Sequence, residues 1–74
     1  MTCKVKIVWD NESDSWYTDA DAPLNMVLTS GSFDALVERV RMAAPDMLEI
    51  NEGYKGPFKL IFEVIREDEM ELVS

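Results

Sequence analysis

Trp9-Asp10-Asn11-Glu12-Ser13-Asp14-Ser15-Trp16 is the stretch on which the fold turns. Each tryptophan ends a strand-like segment, and the polar residues Asp10 to Asp14, three of them acidic, suit a hairpin loop. Asp, Asn and Ser side chains bond to nearby backbone and so stabilise tight turns. Upstream, Cys3, Val5, Ile7 and Trp9 alternate with Lys4, Lys6 and Val8. That period of two marks a half-buried strand, and its β-branched residues agree. Downstream, Ser15 to Thr18 forms the return strand, where Trp16 is expected to meet Trp9 or Ile7 across the hairpin.

Thr18 to Leu24 is a polar, acidic connection in which Pro23 stops any strand. Asn25 to Thr29 forms a third strand, with Met26 and Leu28 on one side and Val27 on the other. Gly31 breaks that strand, and Ser32 is a suitable helix N-cap because its hydroxyl can accept from a free donor of the first turn. Asp34 also suits the positive end of the helix. Phe33, Leu36, Val37, Val40, Ala44 and Met47 share one stripe at helical spacing. Pro45 cannot donate to an earlier carbonyl, which predicts a kink or a new turn starting there. Leu48 and Ile50 close the apolar run, and Asn51 to Pro57 is a loop. In the last strand, Phe58 to Arg66, the residues Phe58, Leu60, Phe62 and Val64 face the core, while Lys59, Ile61, Glu63 and Ile65 face away. Glu67, Asp68 and Glu69 make an acidic turn. Across residues 67–74 the tail is expected to fray rather than add an edge strand through Met70 and Leu72.

The predicted class is therefore α+β: a three-stranded antiparallel meander, one long helix and a fourth strand, in the order β-β-β-α-β. One helix covers one sheet face. Val8, Tyr17, Val27, Ile61 and Ile65 point to the other face, and an apolar patch of that kind predicts an oligomer interface. Seventy-four residues make a single domain, 1–74, with a core small enough for a partner subunit to add useful stability.

The composition excludes several functions. The formal charge is −8, from 15 acidic and 7 basic side chains, so nucleic acid and anionic membrane surfaces are repelled. No apolar run is long enough to span a membrane and no signal peptide is visible, so a cytoplasmic protein with a reduced thiol is expected. One cysteine and no histidine exclude an internal disulfide and argue against zinc. Cys3 has no histidine to activate it and lies on the core face of its strand. A metal-dependent nuclease would need Asp10, Glu38 and Glu63 to converge. Glu38 falls on the solvent side of the helix and Glu63 on the uncovered sheet face, so no catalytic residues, metal or cofactor are expected. Neither a glycine-rich phosphate loop nor the spacing of a calcium loop occurs. What clusters is acid: Asp10, Glu12, Asp14, Asp19 and Asp21 stand without a base among them. These five are the candidate partner-binding residues, weighed against a plain solubilising edge.

Two segments carry a resemblance. Trp9-Asp10-x-Glu12-x-x-x-Trp16, followed by an acidic stretch and Pro23, resembles the opening of the HicB-like antitoxin domains, more closely a small bacterial branch of that group. Ala44-Pro45-Asp46-Met47-Leu48-Glu49-Ile50-Asn51 resembles the Pro-Glu-Leu-Leu-Glu-Leu-Asn ending of that branch's helix. The likeness runs from about Val5 to Asn51. It departs at Leu24-Asn25, where the family usually has Gly-Leu, and at one extra residue before the helix cap. The resemblance implies a truncated ribonuclease-H-like fold without the catalytic carboxylates. It also implies an antitoxin that binds and masks a small basic RNA-cleaving toxin, as a homodimer or larger homo-oligomer. No separate DNA-binding module is expected within 1–74, and so no role as a transcription factor. The alternative is a small acidic inhibitor that mimics nucleic-acid charge in the groove of a nucleic-acid-binding protein.

Overall fold

The central strand β1, Thr2–Asp10, is the longest strand, and it has a neighbour on each side. In the computed structural model, which describes residues 1–72, the sheet order is β3-β2-β1-β4. Strand β2, Ser15–Asp19, returns antiparallel to β1 with Trp9 opposite Trp16. Strand β3, Thr29–Ser30, pairs antiparallel with β2 at the edge. Helix α1, Phe33–Glu52, then carries the chain across the sheet, and β4, Lys59–Ile65, enters parallel to β1 on its far side. The sheet is thus a meander extended by one parallel strand, in the predicted order of elements. A parallel partner requires a crossover, and the helix supplies it.

The alternation in β1 sets the two layers. Cys3, Val5 and Ile7 are buried under the helix side, while Lys4 and Lys6 stay exposed on the other face. From α1, Leu36, Val40, Ala44 and Leu48 are fully buried against them, one per turn. Each fully buried Leu or Val contributes on the order of 1.5–3 kcal/mol, whereas an exposed ion pair such as Arg41–Glu38 (2.7 Å) contributes about 0–1 kcal/mol. Apolar contact therefore fixes the helix on the sheet.

Ser32 caps the helix, its Oγ accepting from the Ala35 N–H at 3.3 Å. Pro45 starts no new turn: it sits exposed inside one continuous helix that runs two residues beyond the expected end. An exposed proline removes one bond to the carbonyl four residues earlier, and the buried residues on both sides hold the helix across that gap. Leu48, expected only to close the apolar run, is a fourth core contact, while Ile50 points to solvent at 75% exposure. The helix stops at Gly53, whose φ of 63° is left-handed and whose N–H donates to the Glu49 carbonyl.

Three further placements differ from the sequence expectation. The third strand is Thr29–Ser30 rather than Asn25 to Thr29, with an isolated bridge from Ala20 to Met26 beyond it. Between them Thr18 substitutes for the ladder. Its buried hydroxyl accepts from the Leu28 N–H at 2.8 Å and donates to the Met26 carbonyl at 3.2 Å. Second, Leu24, assigned to a polar connection, is a core residue at 1% exposure. The loop around it is held by the Asp21 carbonyl, which accepts from the N–H groups of Leu24 and Asn25, and by Asn51 Nδ2, which donates to the Pro23 carbonyl. Third, Val64 is 50% exposed although it lies on the helix-covered side of the sheet. The helix backbone comes closest to β2 and β3, and from β4 the residues Leu60 and Phe62, but not Val64, pack against the core.

Two substitutions test these contacts. Thr18→Val keeps the side-chain volume but leaves the Leu28 N–H and Met26 carbonyl without their partner, so urea unfolding should show a loss of about 1–3 kcal/mol. Wild-type stability in that variant would contradict the assigned role. Gly53→Ala meets no steric obstacle, so its cost is the left-handed backbone alone, about 1 kcal/mol. Gly53→Asn should cost less, and thermal unfolding of the pair gives the order.

Candidate interaction surface

The hairpin from Asp10 to Ser15 is braced from within. Asp10 uses both carboxylate oxygens, accepting from the Glu12 N–H at 3.0 Å and from Ser13 Oγ at 2.9 Å. Ser13 Oγ lies 2.6 Å from Ser15 Oγ across the loop. Asp14 takes a left-handed conformation, φ 50°, which aspartate tolerates better than most side chains. Behind the loop, Trp9 and Trp16 meet edge to face at 5.1 Å, and Trp16 meets Phe33 of α1 in the same way at 5.1 Å. The aromatic pair joins the hairpin to the start of the helix.

The sequence did not reveal what lies on the other side of this pair. The Arg66 guanidinium sits 4.4 Å from the Trp9 ring centroid and 5.7 Å from that of Trp16, and its Nε donates to Asp68 at 3.0 Å. Trp9 Nε1 donates to Asn11 Oδ1 at 2.7 Å, and Asn11 Nδ2 donates to the Glu67 carbonyl at 3.2 Å. The segment after β4 is therefore clasped to the hairpin. Glu67, Asp68 and Glu69, predicted as a separate acidic turn, join Asp10, Glu12 and Asp14 at one end of the sheet. An open groove lined by Asn11, Arg66, Glu67, Asp68 and Glu69 runs along the join. A hint was available in Arg66 and the three acids that follow it, but nothing in the spacing placed them beside residue 11. Met70 and Leu72 form no strand and are exposed.

The five predicted partner-binding acids do not form one cluster. Asp10, Glu12 and Asp14 lie at the hairpin, with Glu12 and Asp14 exposed. Asp19 stands at the far end of β2, roughly 15 Å along the strand, opposite Lys6 in the ladder. Asp21 lies beyond it, in the loop before Pro23.

The predicted oligomer face is likewise divided. Tyr17, Val8 and Ile65 form one continuous row across β2, β1 and β4. The next row is Asp19, Lys6 and Glu63, and it is charged. The Ala20–Met26 bridge keeps the register of Tyr17 with Thr29, which puts Val27 opposite Asp19 at the edge of that charged row. Ile61 lies beyond the row, beside Lys4. Val27 and Ile61 are exposed, at 76% and 47%, while Val8, Tyr17 and Ile65 are half-buried.

The carboxylates considered for catalysis stand apart. Asp10 is bonded inside the hairpin and Glu38 pairs with Arg41 on the exposed side of α1. Glu63 lies on the sheet face away from the helix, 3.9 Å from Lys4. Among the described residues no three His, Cys, Asp or Glu side chains are grouped so as to hold a metal ion. Cys3 is buried at 2% exposure. No helix among them is long and apolar enough to cross a membrane.

Comparison with known proteins places this architecture. The chain superposes on the crystal structure of a hypothetical protein, TTHA1013, from the extremely thermophilic bacterium Thermus thermophilus, with a TM-score of 0.76 and 24% identity. The match covers 95% of this chain and 100% of that one, and it establishes a common fold. No curated protein matches. A family model described as "Domain of unknown function (DUF1902)" matches residues 2–73, and the chain belongs to that family.

Proposed function

We propose that this chain is a non-enzymatic interaction domain of the HicB-like kind, which binds and masks a small basic RNA-cleaving toxin. The observation that carries this reading is the acidic end of the sheet. There the braced hairpin and the clasped segment after β4 present Glu12, Asp14, Glu67 and Glu69 around a fixed backbone. A preformed acidic surface lowers the ordering cost of association and steers a basic partner toward it. The resemblance of Trp9-Asp10-x-Glu12-x-x-x-Trp16 and of the helix ending to HicB-like domains supplies the class of partner. The scattered positions of Asp10, Glu38 and Glu63 favour binding over catalysis.

The test is co-expression with a small basic RNA-cleaving toxin, scored by rescue of growth and by affinity for the purified toxin. Glu12→Gln, Asp14→Asn and Glu69→Gln together should weaken binding by about tenfold or more, because each removes a charge facing the partner. Their exposure should leave thermal stability within about 0.5 kcal/mol of wild type. Unchanged affinity in the triple variant would move the site away from this end. A partner that is instead a nucleic-acid-binding protein, displaced by DNA or RNA and lost steeply with salt, would establish the acidic mimic.

A further inference from the structure

The sheet ends on two very different edges. β3 is only two residues long and polar. β4 is seven residues, Lys-Leu-Ile-Phe-Glu-Val-Ile, apolar on the helix side through Leu60, Phe62 and Val64 and alternating charge with isoleucine on the other, and among the described residues its outer side has no neighbour in the sheet. Such an edge is a template for another strand, and proteins usually blunt it with proline, bulges, charged side chains or a covering element. β4 has no proline or bulge, and its two charges, Lys59 and Glu63, are opposite in sign and so able to pair with those of a second copy. The Lys59 N–H donates to the Met1 carbonyl at 2.9 Å, so Lys59 directs its backbone groups toward β1. Alternation along the strand then directs those of Leu60, Phe62 and Val64 outward.

We infer that two copies of this chain pair antiparallel through the outer edges of β4, with the two-fold axis at Ile61. In this register Leu60 meets Phe62 of the second copy, exchanging both N–H···O bonds between backbone groups that already point outward, and Phe58 comes opposite Val64. On the opposite face Ile61 meets its own copy, flanked on both sides by Lys59 against Glu63. Every apolar residue then faces an apolar one, and both charges face their opposites. Moving the axis to Phe62 would set Ile61 against Glu63 and Lys59 against Ile65. Moving it to Glu63 would set two carboxylates together, and moving it to Leu60 would set Lys59 against Ile61 and Glu63 against Pro57, leaving both charges without an opposite. Glu63 is available for this contact, since its pairing with Lys4 is long and exposed.

Edge pairing also avoids the difficulty of stacking the open faces. A face-to-face dimer would bury the row Asp19, Lys6 and Glu63, whereas the edge dimer leaves it in water. The half-covered Leu60, Phe62 and Val64 on the helix side gain a partner in the same step. This inference does not rest on the toxin: a chain that stays monomeric would overturn it without touching the proposed binding at the acidic end.

The experiment is sedimentation velocity of the full chain over a concentration series, with far-UV circular dichroism to show that each variant is folded. The wild type should dimerise. Lys59→Glu and Glu63→Lys should each raise the dimer Kd by about tenfold, and the double exchange should restore it, because opposite charges again face each other. Ile61→Cys should form a disulfide-linked dimer on mild oxidation, since directly opposed residues of a pair without mutual hydrogen bonds have Cα atoms about 4.5 Å apart. Ile65→Cys, opposite Pro57 in this register, should not. A monomer at every concentration, a dimer indifferent to both charge reversals, or linkage through residue 65 as readily as through residue 61 would each overturn the proposal.

Discussion

Burial of the odd-numbered side of β1 is the constraint on which the rest of the structure depends. Val5 and Ile7 are fully buried and Cys3 nearly so, and they can be covered only if a strand lies on each side and a helix crosses above. The hairpin supplies the first neighbour and the helix crossover the second. Leu36, Val40, Ala44 and Leu48 then close the layer. A small domain has little stability to spare, so each element does more than one task. The hairpin sets the β1–β2 register through Trp9 and Trp16 and also anchors the segment after β4 through Asn11.

That economy shapes the surface. A single helix cannot cover four strands, and it lies toward β2 and β3. β4 is left with apolar residues half-covered on one face, exposed isoleucine on the other and an open backbone edge. At the hairpin end, acidic side chains collect around an aromatic pair capped by Arg66. The molecule thus has a rigid interior and two places suited to contact, one apolar and extended, the other acidic. The proposed interaction role would draw on this division, because a partner then meets a surface that is already ordered.

Much of the fold was legible because its signals are local. Period two in Cys3 to Trp9, helical spacing from Phe33 onward and the cap at Ser32 each follow from neighbouring residues, and each corresponds to an observed element. The misplaced features depend on contacts distant in sequence. Leu24 is core because Asn51 and Asp21 hold its loop against the sheet, and the third strand is short because the Thr18 hydroxyl replaces part of a ladder. The parallel entry of β4 beside β1 follows from the direction of the helix crossover, which no window of residues encodes. The same limit applies to the surface. The acids at Asp10, Glu12 and Asp14 were legible as a group, but their union with Glu67 and Asp68 was not, and Asp19 and Asp21 belong elsewhere. Val8, Tyr17 and Ile65 form the expected apolar row, yet a charged row separates Ile61 from it and runs out to Val27 at its edge.

The two proposed contacts use the outer edge of β4 and the acidic end of the sheet rather than any pocket. Amide hydrogen exchange of the full chain, resolved by residue and followed over a dilution series, tests this most directly. The N–H groups of Leu60, Phe62 and Val64 should be protected in concentrated solution and should lose that protection on dilution, while those of Val5 and Ile7 stay protected throughout. Rapid exchange at Leu60, Phe62 and Val64 at every concentration would contradict it.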